Sequence, residues 1–198
     1  MVETRTTLLL RVRDPADSES WREFVLLYEP LLLGYVQRRG LREHDARDVV
    51  QEVFGTLVRT LPGFELDRQR GRFRTWLWRV THNAVVDWNR RRGRRAAAED
   101  RAREEAPVAV ELGDDELEAE WLAAHRRRIL DFALEQVRSR TNETTWKCFQ
   151  WHLLEGRPSS DVAADLGLTA NAVYVNASRV LARVREQCAE YAEELGEE

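Results

Sequence analysis

The chain has 198 residues, of which 43% are hydrophobic, and its formal net charge at pH 7 is −4. This length allows one domain or two small ones, each with its own core. The net charge alone would argue against a nucleic-acid partner, but the two signs are segregated along the chain. Arginines are concentrated at residues 90–95, whereas acidic residues predominate at residues 99–120. The basic segment can therefore still meet phosphate groups.

Cysteine spacing and hydrophobic runs exclude several classes of protein. Cys148 and Cys188 are far apart within helical patterns, so they build neither a disulfide framework nor a zinc-ligand spacing. The apolar run Leu8–Leu10 stops at Arg11, which is too short for a signal peptide. No stretch approaches the roughly 20 apolar residues of a membrane span. We therefore expect a soluble, cytoplasmic protein with reduced cysteines and no membrane association.

The N-terminal part of the chain has the periodicity of helices. Apolar residues recur at steps of three and four, and alternating strand patterns bounded by turn residues are hard to find. This predicts an all-α fold. Four helices are expected here, at Thr6–Val12, Ser18–Gly40, His44–Leu61 and Arg72–Arg92. Pro30 is expected to kink the second of them.

A change of composition follows the fourth helix. Residues after Gly93 are rich in Ala, Glu and Arg, and Pro107 makes one continuous helix unfavourable, which is typical of a mobile linker. Helical periodicity resumes near Asp114 and includes a helix over Thr144–Leu154. We therefore predict two small helical domains, residues 1–95 and 114–198, joined by an acidic flexible linker at residues 96–113.

The segment that begins at Ser159, SSDVAADLGLTANAVYVNASRVLARVR, has the pattern of a helix-turn-helix. Ser159 or Ser160 can cap a short helix, Gly167 supplies the tight turn and Thr169 caps the next helix. A plain helical hairpin could share this spacing, but the agreement of caps, spacing and glycine favours DNA binding. Outward residues near the start of the second helix could hydrogen-bond to base edges and phosphates in a major groove. With the cap, the candidates are Thr169, Asn171, Ala172, Tyr174, Val175, Asn176 and Arg179.

The fourth helix mixes aromatic rings with arginines, a combination that suits a strand whose bases are unstacked. Trp76 and Trp88 are more simply explained as core residues, and the terminal arginines as a solvated helix end. Arg79 and Asn83 are better binding candidates because they lie off the apolar stripe.

The third helix carries an acidic ridge made of Asp45, Asp48, Gln51 and Glu52. Taken alone, a solvated face is the simpler interpretation of this ridge. His44 and Asp48 have a metal-ligand spacing, but no second pair completes a site. The remaining histidines lack a matched nucleophile or carboxylate. The sequence therefore predicts no metal, no cofactor and no enzymatic activity.

Three segments together resemble the two conserved domains of bacterial extracytoplasmic-function (ECF) sigma factors. They are DVVQEVF, FRTWLWRVTHNAVVDWNRRR and VAADLGLTANAVYVNASRVLARVRE. The resemblance covers about residues 5–95 and 115–187. Two family blocks in the family's order are more specific than a helix-turn-helix or an acidic helix alone.

The resemblance implies a dissociable initiation subunit of RNA polymerase. In such proteins the acidic helix docks on the clamp helices of the polymerase β′ subunit, a role that falls here to Asp45, Asp48, Gln51 and Glu52. The helix-turn-helix reads the minus-thirty-five duplex, its domain contacts the β flap, and the linker runs toward the active-site channel. Members are commonly held by an anti-sigma factor, and a free monomer is expected because heptads are absent.

The resemblance also implies a minus-ten site on the fourth helix and the loop before it. Phe64 occupies the loop that lines the pocket for a flipped base, and Asn83 matches the asparagine that reads minus-ten DNA. Arg79, Arg90 and Arg91 are the implied phosphate partners. Extruding a base costs a few kcal/mol, which the pocket and stacking must offset.

The sequence departs from the family pattern in both reading helices. Tyr174 and Val175 stand where many members have a lysine or arginine followed by serine, which leaves Arg179 as the main cation there. Thr81 and His82 replace the usual Ala-Arg before Asn83. Two alternatives stay open, a free-standing helix-turn-helix regulator and a hydrolase or nuclease. The regulator would bind a palindromic duplex without polymerase, and the enzyme would need a paired catalytic geometry that the sequence lacks.

Overall fold

The computed structural model describes residues 8–64, 73–98 and 114–192. Every regular element in these ranges is helical, which confirms the all-α prediction. The sequence also predicts a loop at Phe64–Gly71, and all of it except Phe64 lies outside the described residues, as does most of the predicted linker. The α-helices are α1 (Leu8–Arg11), α2 (Ser18–Arg38), α3 (Glu43–Thr60), α4 (Phe73–Ala98), α5 (Asp114–Ser139), α6 (Glu143–Phe149), α7 (Ser159–Leu166) and α8 (Ala170–Ala192).

Helix ends follow the local chemistry of the chain. The Asp17 carboxylate caps α2 by accepting a hydrogen bond from the Ser20 amide at 3.0 Å. Helix α3 gives way to a 3₁₀ turn at Leu61–Gly63 that contains Pro62. Helix α4 continues through Gly93 to Ala98, so residues 96–98 of the predicted linker are helical. A single glycine costs a helix only about 1 kcal/mol, and the flanking alanines and arginines favour it.

Contacts divide the described chain after Arg128, within α5. The first unit runs up to that residue, and the second covers Ile129–Ala192. The first part of α5 therefore belongs to the first unit, whereas the sequence analysis placed the domain boundary at residues 96–113. The first unit's core includes ring contacts among Phe24, Tyr28 and Phe73, with centroids 4.5 to 6.1 Å apart.

Aromatic burial explains why the start of α5 packs on the first unit. Trp121 is fully buried, its indole N–H donates to the Arg74 carbonyl at 3.0 Å, and its ring meets Tyr35 edge-on at 5.4 Å. Glu120 accepts from Arg39 at 3.0 Å and lies 2.5 Å from the Arg38 guanidinium. Burial opposes ionisation of Glu120, but the two arginines outweigh it and lower the pKa of this carboxyl.

Pro30 gives α5 a second attachment to α2. Helix α2 continues through Pro30, which has no N–H to donate to the Leu26 carbonyl. Arg128 instead donates to the Leu26 carbonyl at 2.8 Å and to the Leu27 carbonyl at 3.1 Å. The proline therefore creates a backbone acceptor site that an arginine about 100 residues away in the sequence occupies.

The second unit has a core built mainly from α5, α6 and α8. One cluster of buried residues contains Ala133, Val137, Phe149, Ala177, Val180 and Val184. A smaller cluster holds α7 in place and contains Cys148, Val162, Ala163 and Val173. Both clusters lie at helical spacing in the sequence, as the periodicity predicts. The burial of α8 residues in these clusters determines which faces of α8 are exposed.

Candidate functional site

The acidic ridge of α3 lies opposite a buried stripe that includes Val49 and Val53. Asp48, Gln51 and Glu52 are exposed and Asp45 is half-buried. Because these four residues recur at helical spacing, the structure places them together on one face. Three of them line a cavity of about 500 Å³ beside the end of α4. Its walls are Asp45, Asp48, Glu52, Trp88, Arg91 and Arg92.

The ridge is joined to the arginine-rich end of α4 by an ion pair. Arg91 donates to the Glu52 carboxylate at 2.8 Å, and this hydrogen bond raises the pKa of Arg91. Arg92 lies 5.3 Å from the centre of the Trp88 ring. Because the pair is exposed to water, solvent screening keeps its contribution to stability small. The structure thus pairs a predicted polymerase-binding residue with a predicted DNA-binding residue.

The exposed side of α4 displays Arg79, Asn83 and Arg90. Their spacing of four and seven residues puts them on one helix face. Neither the Arg79 nor the Asn83 side chain has a hydrogen-bond partner among the described residues, whereas the Arg90 guanidinium lies 3.4 Å from the Asp87 carboxylate. Two of the three predicted side chains therefore present free donors to solvent.

Phe64 packs against the first turn of α4. Its ring centre is 4.7 Å from that of Trp76 and 5.8 Å from that of Phe73. Trp76 and Trp88 are half-buried rather than full core residues. Asn83 follows Trp76 by seven residues, or about 10 Å along the helix axis. The aromatic cluster and the Asn83 face are thus neighbouring parts of one surface.

A buried polar network fixes α4 against α2, and the sequence analysis missed it. The Trp78 indole N–H donates to the Tyr35 hydroxyl at 3.1 Å. The same hydroxyl lies 3.0 Å from the His82 Nδ1. Burial raises the pKa of Tyr35. Tyr, Trp and His side chains on an apolar helix face indicate such a network. The partners could not be paired from the sequence because they are 43 and 47 residues apart.

The helix-turn-helix forms with one difference from the predicted caps. Gly167 adopts a left-handed conformation with φ of 66°, and the Thr169 hydroxyl accepts from the Ala172 amide at 3.1 Å. The predicted cap of α7 by Ser159 or Ser160 is wrong. Pro158 precedes the helix without any side-chain cap, and the Ser160 hydroxyl donates to Asp161 instead. Helix α7 starts one residue earlier than a serine cap would allow.

Helix α8 presents the predicted reading residues unequally. Thr169, Asn171, Tyr174, Val175 and Arg179 are exposed, whereas Ala172 and Asn176 are half-buried. The Tyr174 ring lies 4.9 Å from His152, which orients this side chain. The exposed face is lined by Asn171, Tyr174, Val175, Ser178, Arg179 and Ala182. It is a mainly apolar surface with one guanidinium.

Three further properties concern the whole described chain. None of its helices is long and apolar enough to cross a bilayer. No group of three His, Cys, Asp or Glu residues is close enough there to hold a metal ion. Cys148 and Cys188 are free thiols, and burial raises the pKa of both.

Comparison with known proteins identifies the first unit. Residues 24–95 match the family model of sigma-70 region 2. The ECF RNA polymerase sigma factor SigE of Mycolicibacterium smegmatis is 34% identical over 91 residues, which is 46% of this chain. The segment at residues 24–95 is thus similar to region 2 of sigma-70-type factors, and 46% of the chain is similar to an ECF sigma factor. The match spans only 34% of the length of that relative.

A solved structure also aligns with this chain. It is the co-crystal structure of the sigma factor RpoE with the anti-sigma factor NepR from Bartonella quintana. The alignment covers 85% of this chain and 96% of that one, with 18% identity and a TM-score of 0.36. The region 2 match contains the α3 ridge and the exposed face of α4, but α8 lies outside it.

Proposed function

We propose that this chain is an ECF sigma factor that binds RNA polymerase core and directs promoter-specific transcription initiation. Its first unit would dock on the β′ clamp helices through Asp45, Asp48, Gln51 and Glu52. The same unit would bind the melted minus-ten strand through Phe64 and α4. Helix α8 would read the minus-thirty-five duplex.

One observation carries this proposal. Within the region 2 match, the ridge of α3 and the donors of α4 lie on helices that the Glu52–Arg91 ion pair joins, and a buried network fixes α4 against α2. An acidic helix face suits a basic protein partner, and exposed guanidinium and amide groups suit a nucleic-acid strand. A β-flap contact, an anti-sigma factor and a monomeric free state remain predictions of the family resemblance.

Core dependence is expected because each DNA-binding surface is small. A single reading helix and a single-strand surface each bind weakly alone, and they add strength only when held at a fixed spacing. Polymerase core would supply that spacing. A free-standing helix-turn-helix regulator is the second candidate, because the exposed face of α8 does not itself require a polymerase.

Run-off transcription from a promoter library tests the proposal. Sigma-free bacterial core is mixed with the wild-type chain, with Asp48→Arg or with the control Asp115→Arg, which makes the same charge change at an exposed site on α5. We expect initiation with the wild type and the control, and its loss with Asp48→Arg. Duplex binding without core, and no initiation by any variant, would instead support the regulator.

A further inference from the structure

Three arginines of the second unit, Arg140, Arg179 and Arg183, converge on one cleft. The cleft has a volume of about 280 Å³, compared with roughly 30 Å³ for a water molecule in the liquid. No carboxylate is among its lining residues. The others are Thr141, Asn142, Thr145 and Asn176. The cleft is therefore large enough for a polyatomic anion, and its three charged lining residues are all cations.

The charge of this cleft is not neutralised within the described chain. None of the three arginines forms an ion pair with a described carboxylate. Other cations of the same unit do, since Arg157 pairs with Asp165 and Lys147 with Glu143. Guanidinium groups that share one cleft repel each other. An anion bound among them would remove that repulsion.

The chemistry of the free donors favours a phosphate group. The Thr145 amide already donates to the Asn142 side chain at 2.8 Å, and the Thr141 hydroxyl donates to the Val137 carbonyl at 2.6 Å. The charged donors of the cleft are its three guanidinium groups, each with five N–H bonds in a fixed planar fork. That fork matches two oxygens of a phosphate at once.

We propose that this cleft binds a backbone phosphate of duplex DNA beside the groove that α8 enters. The inference rests on the proposed function, in which α8 is the reading helix. Arg179 lines both the cleft and the exposed face of α8. A helix about 10–12 Å across fills a major groove about 12 Å wide, and phosphates border that groove. A seated α8 therefore brings its flanking cleft to the backbone.

The test uses the full chain and two labelled duplexes of unrelated sequence. Arg140→Gln/Arg183→Gln removes two cleft cations, and Arg185→Gln removes an exposed cation of α8 outside the cleft. We expect the double variant to bind both duplexes about tenfold more weakly. The slope of log affinity against log salt should fall by about one. Arg185→Gln should change neither value by as much.

Further experiments distinguish a DNA backbone phosphate from a free anion and from a protein partner. Arg140→Lys/Arg183→Lys keeps both charges, so it should retain the salt slope while losing part of the affinity. Equal binding by the double glutamine variant and Arg185→Gln would overturn the proposal. Nuclear magnetic resonance gives a second outcome that would overturn the proposal. If sodium phosphate shifts the backbone amide signals of Arg140 and Arg183 but the duplex does not, the cleft is a site for small anions. Weakened core binding with unchanged duplex binding would indicate a protein-docking site and overturn it too.

The two proposals can fail separately. Duplex binding that depends on the cleft, without initiation on core, would contradict only the sigma-factor function. Core-dependent initiation with no effect of the cleft variants on duplex binding would contradict only the phosphate site.

Discussion

Replacing Trp121 with alanine should destabilise the first unit strongly. Trp121 is fully buried on α5, more than 20 residues beyond the last residue of α4. Its indole contacts the Tyr35 ring and donates to the Arg74 carbonyl. If α5 begins as part of this unit, the substitution leaves a cavity in the unit's core.

The cost of Trp121→Ala follows from these contacts. Truncating a buried tryptophan costs about 3–5 kcal/mol. The lost indole hydrogen bond contributes about 1 kcal/mol of that figure. We expect a loss of about 4 kcal/mol, which is a large fraction of the roughly 5–15 kcal/mol that stabilises a typical domain. Trp88→Ala is the matched control, and because Trp88 is half-exposed its cost should be about 1 kcal/mol.

Urea unfolding followed by nuclear magnetic resonance can measure this loss for the first unit separately. The indole signal of Trp78 reports the first unit, and that of Trp146 reports the second. The free energy of unfolding from the Trp78 transition should fall by about 4 kcal/mol in Trp121→Ala. A fall no larger than that of Trp88→Ala would refute the assignment of the start of α5 to the first unit.

Two further predictions concern the turn of the helix-turn-helix and the buried histidine. Gly167→Ala should destabilise the second unit by about 1–2 kcal/mol because its φ is positive, and Thr169→Ala by about 1 kcal/mol because it removes a cap, both measurable by urea unfolding. His125 is 1% exposed, and neither of its ring nitrogens has a hydrogen-bond partner among the described residues. Burial therefore lowers the pKa of His125 to about 4, and the positive charges of Arg74 and Arg126 act in the same direction. The unfolded chain therefore binds this proton more tightly, and stability should fall by up to about 3 kcal/mol as the pH drops from 6.5 to 4. His125→Phe should remove that part of the pH dependence, and an unchanged profile would contradict it.

Local features of the fold were predictable from the sequence. The Gly167 turn and the Thr169 cap depend on residues within four positions, so their chemistry is visible in a short window. The helices were also predictable, because burial on one face repeats every three or four residues. The extension of α4 past Gly93 was missed because a glycine weakens a helix without ending it.

Contacts between distant segments were not predictable from the sequence. The apolar stripe of α5 shows that Trp121 is buried but not against which helix. The Glu52–Arg91 pair joins residues 39 positions apart, and the Leu26 carbonyl, which Pro30 leaves without a helical donor, accepts a hydrogen bond from Arg128 of α5. Such pairings depend on how helices pack, which a one-dimensional pattern does not specify. The candidate residues could therefore be named in advance, but not the contacts that orient them.

Direct binding to sigma-free RNA polymerase core tests the central claim most directly. The affinity of the labelled full chain is measured for the wild type, Asp48→Arg and Asp115→Arg. We predict tight binding by the wild type and by Asp115→Arg, and at least a tenfold loss for Asp48→Arg because a like charge would then face a basic partner. Failure of the wild-type chain to bind core, or equal binding by all three proteins, would contradict the docking role of the α3 ridge.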